Sequence, residues 1–300
     1  MFIDIHAHGA YAPTCPVFEG PTKQPFCSPE DLLRWYDKLE IERGCILPLV
    51  APETPSMLST QSNEECMRFC KTHPDRFIPF CNVDPRNCFN DRTTPFARIL
   101  THYKELGCKG VGEVTANLPI LDEKVQALFA GAEEVGLPVT IHIAPFTGEN
   151  YGVVDLPGLP GLEDTLKRFP KLKIFGHSQA FWCEIGTYKG QGARFHYPTG
   201  PVEEGRVAEL MRKYPNLYGD LSAASGGNAL IRDKQYAIKF LNEFQDRLCF
   251  GTDICWANQP LPLAGFLKDL RKSRKISDDV FEKIAREKYG YCKPGEKVYY

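Results

Sequence analysis

The stretch Ile3-Asp4-Ile5-His6-Ala7-His8 sets the terms on which the rest of the chain is read. Isoleucines alternate with polar residues, the period of a β-strand, in which residues i and i+2 share a face. His6 and His8 therefore project side by side at the strand's end, as two ligands of one metal ion would. Two solvated histidines at a polar strand end are the alternative. What else the chain brings to the same place decides between them.

Outward from that strand, short apolar runs alternate with amphipathic segments. The runs cover 2–6, 45–50, 76–83, 110–114, 138–143, 172–177, 216–222 and 248–253. Helical periodicity predicts a helix over 29–44, opened by Ser28 as N-cap with Pro29 in the first turn. Further helices are expected within 63–74, 95–107, 122–136, 163–170, 203–215 and 234–244; two of these end on a glycine, the usual helix exit. The segment 277–300 reads as a final helix and a short extension. Strands separated by helices indicate a parallel sheet. Eight of them in 300 residues indicate an α/β fold, a (β/α)8 TIM barrel formed as a single domain over 1–300. A doubly wound open sheet would carry a G-x-G-x-x-G turn after an early strand; GVGEV at 110–114 does not match it. Long aromatic loops follow the first strand (9–27) and the sixth (178–200), where barrels of this kind build active sites.

The hydrophobic fraction of 43% and charged fraction of 25% suit a soluble protein with a sizeable core. A formal charge of −2 gives no reason to expect nucleic acid or an anionic membrane as partner. No apolar run approaches the roughly 20 residues that span a bilayer. Without a basic and apolar leader at the start, a cytoplasmic location is expected. The 12 cysteines include no C-x-x-C pair, so they read as reduced, mostly buried thiols rather than a zinc ribbon or disulfide framework.

The expected strand ends carry a recurring chemistry. His6 and His8 close the first, Glu113 the fourth, His142 the fifth, His177 the sixth and Asp253 the eighth. Each residue alone has an ordinary structural reading: a core histidine for His142, a backbone-bonded one for His177, a helix N-cap for Asp253. Their joint placement at one rim is explained by a divalent metal site, because imidazole and carboxylate together suit zinc, iron or manganese. His73 and His102 read as surface helix residues, and Asp220 as a structural or supporting acid.

The ordered set DIHAH, GVGEV, IHIA, FGHSQ and FGTDICW resembles the amidohydrolase superfamily over almost the whole chain. The closest branch is amidohydrolase-2, which includes aminocarboxymuconate-semialdehyde decarboxylase-like enzymes. The resemblance implies that His6, His8, His142 and Asp253 hold a divalent ion, zinc before manganese or iron. It implies that His177 is a further ligand or helps activate water. Glu113 is left with three roles: ligand of a second ion, hydrogen-bond partner of a ligand histidine, or substrate contact. One or two ions are compatible with the set. The metal lowers the pKa of its water from about 15.7 toward about 7, and Asp253 beside it can accept and return the proton.

Two reactions fit this expectation. The first is hydrolysis of an amide, ester or lactone carbonyl in a small cyclic or carboxylated metabolite. The alternative is non-oxidative decarboxylation of an aromatic or unsaturated carboxylic acid. A catalytically silent barrel has little support with every ligand present. Arg194, and less so Lys23 and Lys189, are candidates to hold a substrate carboxylate. Trp182, Phe181 and Trp256 are candidates for an aromatic wall, and His196 for a substrate contact; core packing competes for each aromatic. The partner expected is a small-molecule substrate, with a homodimer through the aromatic loops.

Overall fold

The computed structural model describes residues 2–12, 25–53, 61–187 and 194–276. Parts of both long loops, with Lys23 and Lys189, and the expected C-terminal helix lie outside the described residues.

Strands β1 (Phe2–Ala7), β2 (Ile41–Ile46) and β3 (Phe77–Pro79) pair in that order, all parallel. A second parallel run joins β4 (Val111–Val114), β5 (Val139–Ala144), β7 (Ile174–His177), β8 (Leu217–Asp220) and β9 (Leu248–Cys249). The two-residue β6 (Val153–Val154) adds to the end of β5. Parallel bridges Cys81↔Val111 and Ala7↔Ile254 join the two runs at both edges. The Ile5 amide donates to the Phe250 carbonyl at 3.0 Å along the second seam. The parallel strands thus close into the eight-stranded TIM barrel expected.

Helices cover the outside. Helix α1 (Pro29–Leu39) starts on a reciprocal cap: Ser28 Oγ accepts from the Asp31 amide at 3.1 Å, and the Ser28 amide donates to Asp31 Oδ2 at 3.0 Å. It stops at Leu39, short of the expected 44, because Ile41–Ile46 pairs with β1 and Glu40 turns left-handed at φ 60°. Arg76 fixes this exit by donating to the Ile41 and Glu42 carbonyls. Helices α2 (Asn63–Thr72), α3 (Phe96–Glu105), α4 (Glu123–Val135), α5 (Pro160–Arg168), α7 (Arg206–Lys213) and α9 (Lys234–Glu243) lie within the expected segments, or within three residues of them. Three helices were not expected: α6 (Gln179–Trp182), α8 (Ala223–Ile231) and α10 (Pro262–Lys272). The sequence of α8, AASGGNALI, has poor propensity; packing of its buried face decides its state.

The buried side chains form an inner and an outer layer. Ile3, Ile5, Cys45, Leu47, Ile78, Phe80, Phe175, Tyr218 and Cys249 make the inner cluster. The larger outer cluster lies between strands and helices. Eight of the ten described cysteines are buried free thiols. No helix among the described residues is long and apolar enough to cross a membrane.

Candidate metal centre

Two strands carry one extra residue where they reach the C-terminal rim. Asp4 pairs with Gly44 and Ala7 with Ile46, so three steps on β1 oppose two on β2. Val111 pairs with Val139 and Val114 with Ile141, again three steps against two. Such bulges re-aim side chains. Simple alternation would put His6 on the face of Asp4, which bonds to Tyr36 of α1. The extra residue lets His6 follow Ile5 inward while Ala7 joins the outer cluster. On β4 it releases Glu113 from between two outward valines. Gly112 sits there at φ +139°, and a Cβ would lie 2.7 Å from the Thr140 carbonyl oxygen, so only glycine fits.

The six residues of the expected ligand set converge. His6 Nε2 and His8 Nε2 are 3.0 Å apart. Glu113 Oε2 lies 3.6 Å from the first and 3.5 Å from the second. Asp253 Oδ1 lies 3.7 and 3.2 Å from them. Glu113 Oε1 turns the other way, 2.7 Å from His142 Nδ1 and 3.6 Å from His177 Nε2. Asp253 Oδ2 is 3.9 Å from His177 Nε2. Asp253 and His142 keep side-chain exposures of 22% and 17%, whereas the other four are buried. The open side of the cage is therefore made by these two.

Outer hydrogen bonds fix which nitrogen faces inward. His6 Nδ1 donates to Asp220 Oδ2 at 2.6 Å, and His8 Nδ1 donates to the Leu47 carbonyl at 2.7 Å. Both acceptors lack a proton to give, so each ring keeps a hydrogen on Nδ1 and turns Nε2 toward the other. Two ring nitrogens and two carboxylate oxygens then face one point, a donor set suited to a cation. Two nitrogens bound tetrahedrally to one zinc at about 2.0–2.1 Å lie about 3.3 Å apart, close to the 3.0 Å found. The donor set fits a divalent metal.

Electrostatics agree. Burial opposes charge on His6, but the Asp220 and Glu113 carboxylates outweigh it and raise its pKa. Burial likewise opposes charge on His8, yet hydrogen bonds to Asp253 and Glu113 push it up to about 9. Burial would raise Glu113, but the charges of His142 and His6 hold it well below the usual carboxylate range. The same competition lowers Asp253, through its bond with His8 and the charges of His6 and His8. Burial lowers His177, favouring its neutral form. A field that holds protons on two adjacent imidazoles holds a dication more strongly.

Several supporting residues escaped the sequence reading. Asp4 accepts from Thr252 Oγ1 at 2.6 Å, the Thr252 amide at 2.9 Å, the His6 amide at 3.0 Å and the Tyr36 hydroxyl at 3.1 Å. It thereby ties β1 to the turn in which Asp253 adopts φ +53°, a conformation open to aspartate but uncommon. Ser222 Oγ meets His177 Nδ1 at 2.9 Å. The Tyr151 ring lies 4.5 Å from that of His142, and no periodicity marked it. Cys255 Sγ is 3.8 Å from Asp253 Oδ1.

Of the other expected contacts, Trp182 and Arg194 are packed in the interior rather than open to a substrate. Trp182 is buried; its indole donates to the Asp220 carbonyl at 2.7 Å, and its ring meets Phe181 and Phe240. Arg194 is buried too, donating to the Asp155 carbonyl at 2.6 Å with Glu184 3.5 Å away. His196 is exposed beside Phe195, whose ring packs on Phe146. Trp256 is half-buried, three residues beyond Asp253.

A parallel α/β barrel with histidines and carboxylates at its C-terminal rim has the architecture of a metal-dependent enzyme. The family model Amidohydro_2, described as amidohydrolase, matches residues 3–287, and the chain belongs to that family of enzymes. No curated protein matches the chain. Among solved structures, a probable 2-pyrone-4,6-dicarboxylic acid hydrolase from Acinetobacter baumannii superposes with a TM-score of 0.58 at 17% identity. A 5-carboxyvanillate decarboxylase from Sphingomonas paucimobilis gives 0.60 at 16%. An amidohydrolase from Burkholderia multivorans with bound zinc gives 0.60 at 12%. Each match covers 97% of this chain and 99% of the other. At these identities the likeness is one of fold.

Proposed function

We propose that the protein is a metal-dependent hydrolase that adds water to an amide, ester or lactone carbonyl of a small cyclic or carboxylated metabolite. The observation that carries this reading is the position of Glu113. Its Oε2 faces the His6–His8 pair, and its Oε1 faces His142 and His177. One carboxylate placed between two donor groups would suit a site that holds two ions. His6, His8 and Asp253 would hold one, and His142 and His177 the other. The zinc in the Burkholderia multivorans structure supports zinc as the first ion to test.

Bound there, the metal supplies Lewis acidity toward both water and the substrate carbonyl. The chain's own groups do the rest. Asp253 is the more exposed carboxylate of the cage, and its lowered pKa keeps it ionised at neutral pH. It is placed to accept a proton from attacking water and to return it to the leaving group. His177, kept neutral by burial, offers Nε2 to the cage, with Nδ1 at Ser222. Asp220 and the Leu47 carbonyl hold His6 and His8 in the tautomers that the ion requires.

The test pairs metal stoichiometry with product analysis. Zinc-loaded protein is assayed against panels of lactones, amides and esters and of aromatic and unsaturated carboxylic acids. Two ions per chain with acid release from the first panel is the expected result. One ion per chain, with CO2 release and no hydrolysis, would replace this reading with the decarboxylase.

A further inference from the structure

We infer that the N-terminal face of the barrel carries a second ligand site, for a small amphipathic carboxylate. A cavity of about 270 Å3 opens there, between the ends of β2 and β3, helix α2 and the turn leading into β4. Met67, Ile78 and Leu106 supply an apolar wall, and Leu106 is 53% exposed, unusually open for a leucine beside a cavity. Arg43, Lys71 and Lys109 supply three positive charges, and no acidic residue lines the cavity among the described residues. Arg43 is held by donation from Nη2 to the Pro74 carbonyl at 3.1 Å. Neither lysine has an ion-pair partner among the described residues.

The lining chooses the ligand. Lys71 and Lys109, without ion-pair partners among the described residues, select an anion, and a carboxylate accepts from both. The apolar wall selects a hydrocarbon body, and the volume limits it to a short chain or a single ring. The metal cage stands at the C-terminal ends of the strands, whereas this cavity is built at the opposite end of β3 and β4. A molecule bound there does not reach the cage, and the site stands whether or not the proposed hydrolysis does.

Hexanoate, hexanol and hexylamine are the probes, titrated calorimetrically into the full-length, zinc-loaded protein. Methyl NMR follows Met67 and Ile78 in the same samples. Hexanoate is expected to bind saturably and shift both methyls, with hexanol and hexylamine at least about tenfold weaker. In a Lys71→Glu/Lys109→Glu variant the preference is expected to invert toward hexylamine, a gain that misfolding cannot produce. Two results would overturn the site: no saturable hexanoate binding, or hexanoate shifts that leave Met67 and Ile78 unmoved. Hexanoate affinity unchanged by the charge reversal would do the same.

Discussion

His6 and His8 meet Nε2 to Nε2 at 3.0 Å, each with its Nδ1 hydrogen held from outside, by a carboxylate in one case and a backbone carbonyl in the other. The pair is therefore oriented as two ligands of one cation would be. Its geometry depends on acceptors that touch no metal, and these are where the site is most directly tested.

Asp220→Asn should lower zinc affinity by about ten- to a hundredfold. Asparagine can turn an amide hydrogen toward His6 Nδ1, which moves the ring proton to Nε2, where the ion must bind. Competition against a chromophoric chelator reads the change directly. An unaltered affinity would mean that the Asp220 contact does not set the tautomer.

Metal affinity should climb as pH rises and level off above about 9. His8 is raised to about 9 in the metal-free protein, so below that pH the ion must displace its proton. Zinc titrations across that range, with proton release followed alongside, provide the measurement. A flat profile would show that His8 binds no proton that the ion displaces.

Asp253→Asn should keep the ion and lose about 10²–10⁴-fold in kcat, because the amide retains an oxygen ligand but cannot carry the proton. Turnover at the original rate, with metal content matched by elemental analysis, would remove Asp253 from proton transfer.

Asp4→Ala should destabilise the fold by about 3 kcal/mol or more, since four buried donors lose their acceptor together. Tyr36→Phe removes one of those donors and should cost about 1 kcal/mol. Urea denaturation of both variants gives the comparison, and equal losses would contradict the network described for Asp4.

The barrel and the side chains that converge at its rim were legible in the sequence because they rest on local signals: strand-length apolar runs, caps such as Ser28, and histidines at strand ends. The reading of IDIHAH was right about the outcome and incomplete about the means. His6 faces inward because β1 carries an extra residue, and a register shift appears only when the partner strand is known. The exit of α1 at Leu39 was hidden for a similar reason, since pairing with β1 claims Ile41–Ile46 against the local helical pattern. Helix α8 depends on packing that its glycines conceal. Asp4 and Ser222 reach the site through contacts tens to hundreds of residues away in the chain, and Tyr151 meets His142 across an irregular loop; no spacing rule records these.

The seam where β1 meets the turn after β9 has a consequence for biosynthesis. His6 and His8 leave the ribosome about 245 residues before Thr252 and Asp253. A nascent chain thus displays two bare imidazoles long before the carboxylate that completes their cage exists, and closing so distant a contact is intrinsically slow. A cation held by residues of both segments would be captured only after the ring has closed, and it would add to the Asp4–Thr252 and Ile5–Phe250 hydrogen bonds that already join them.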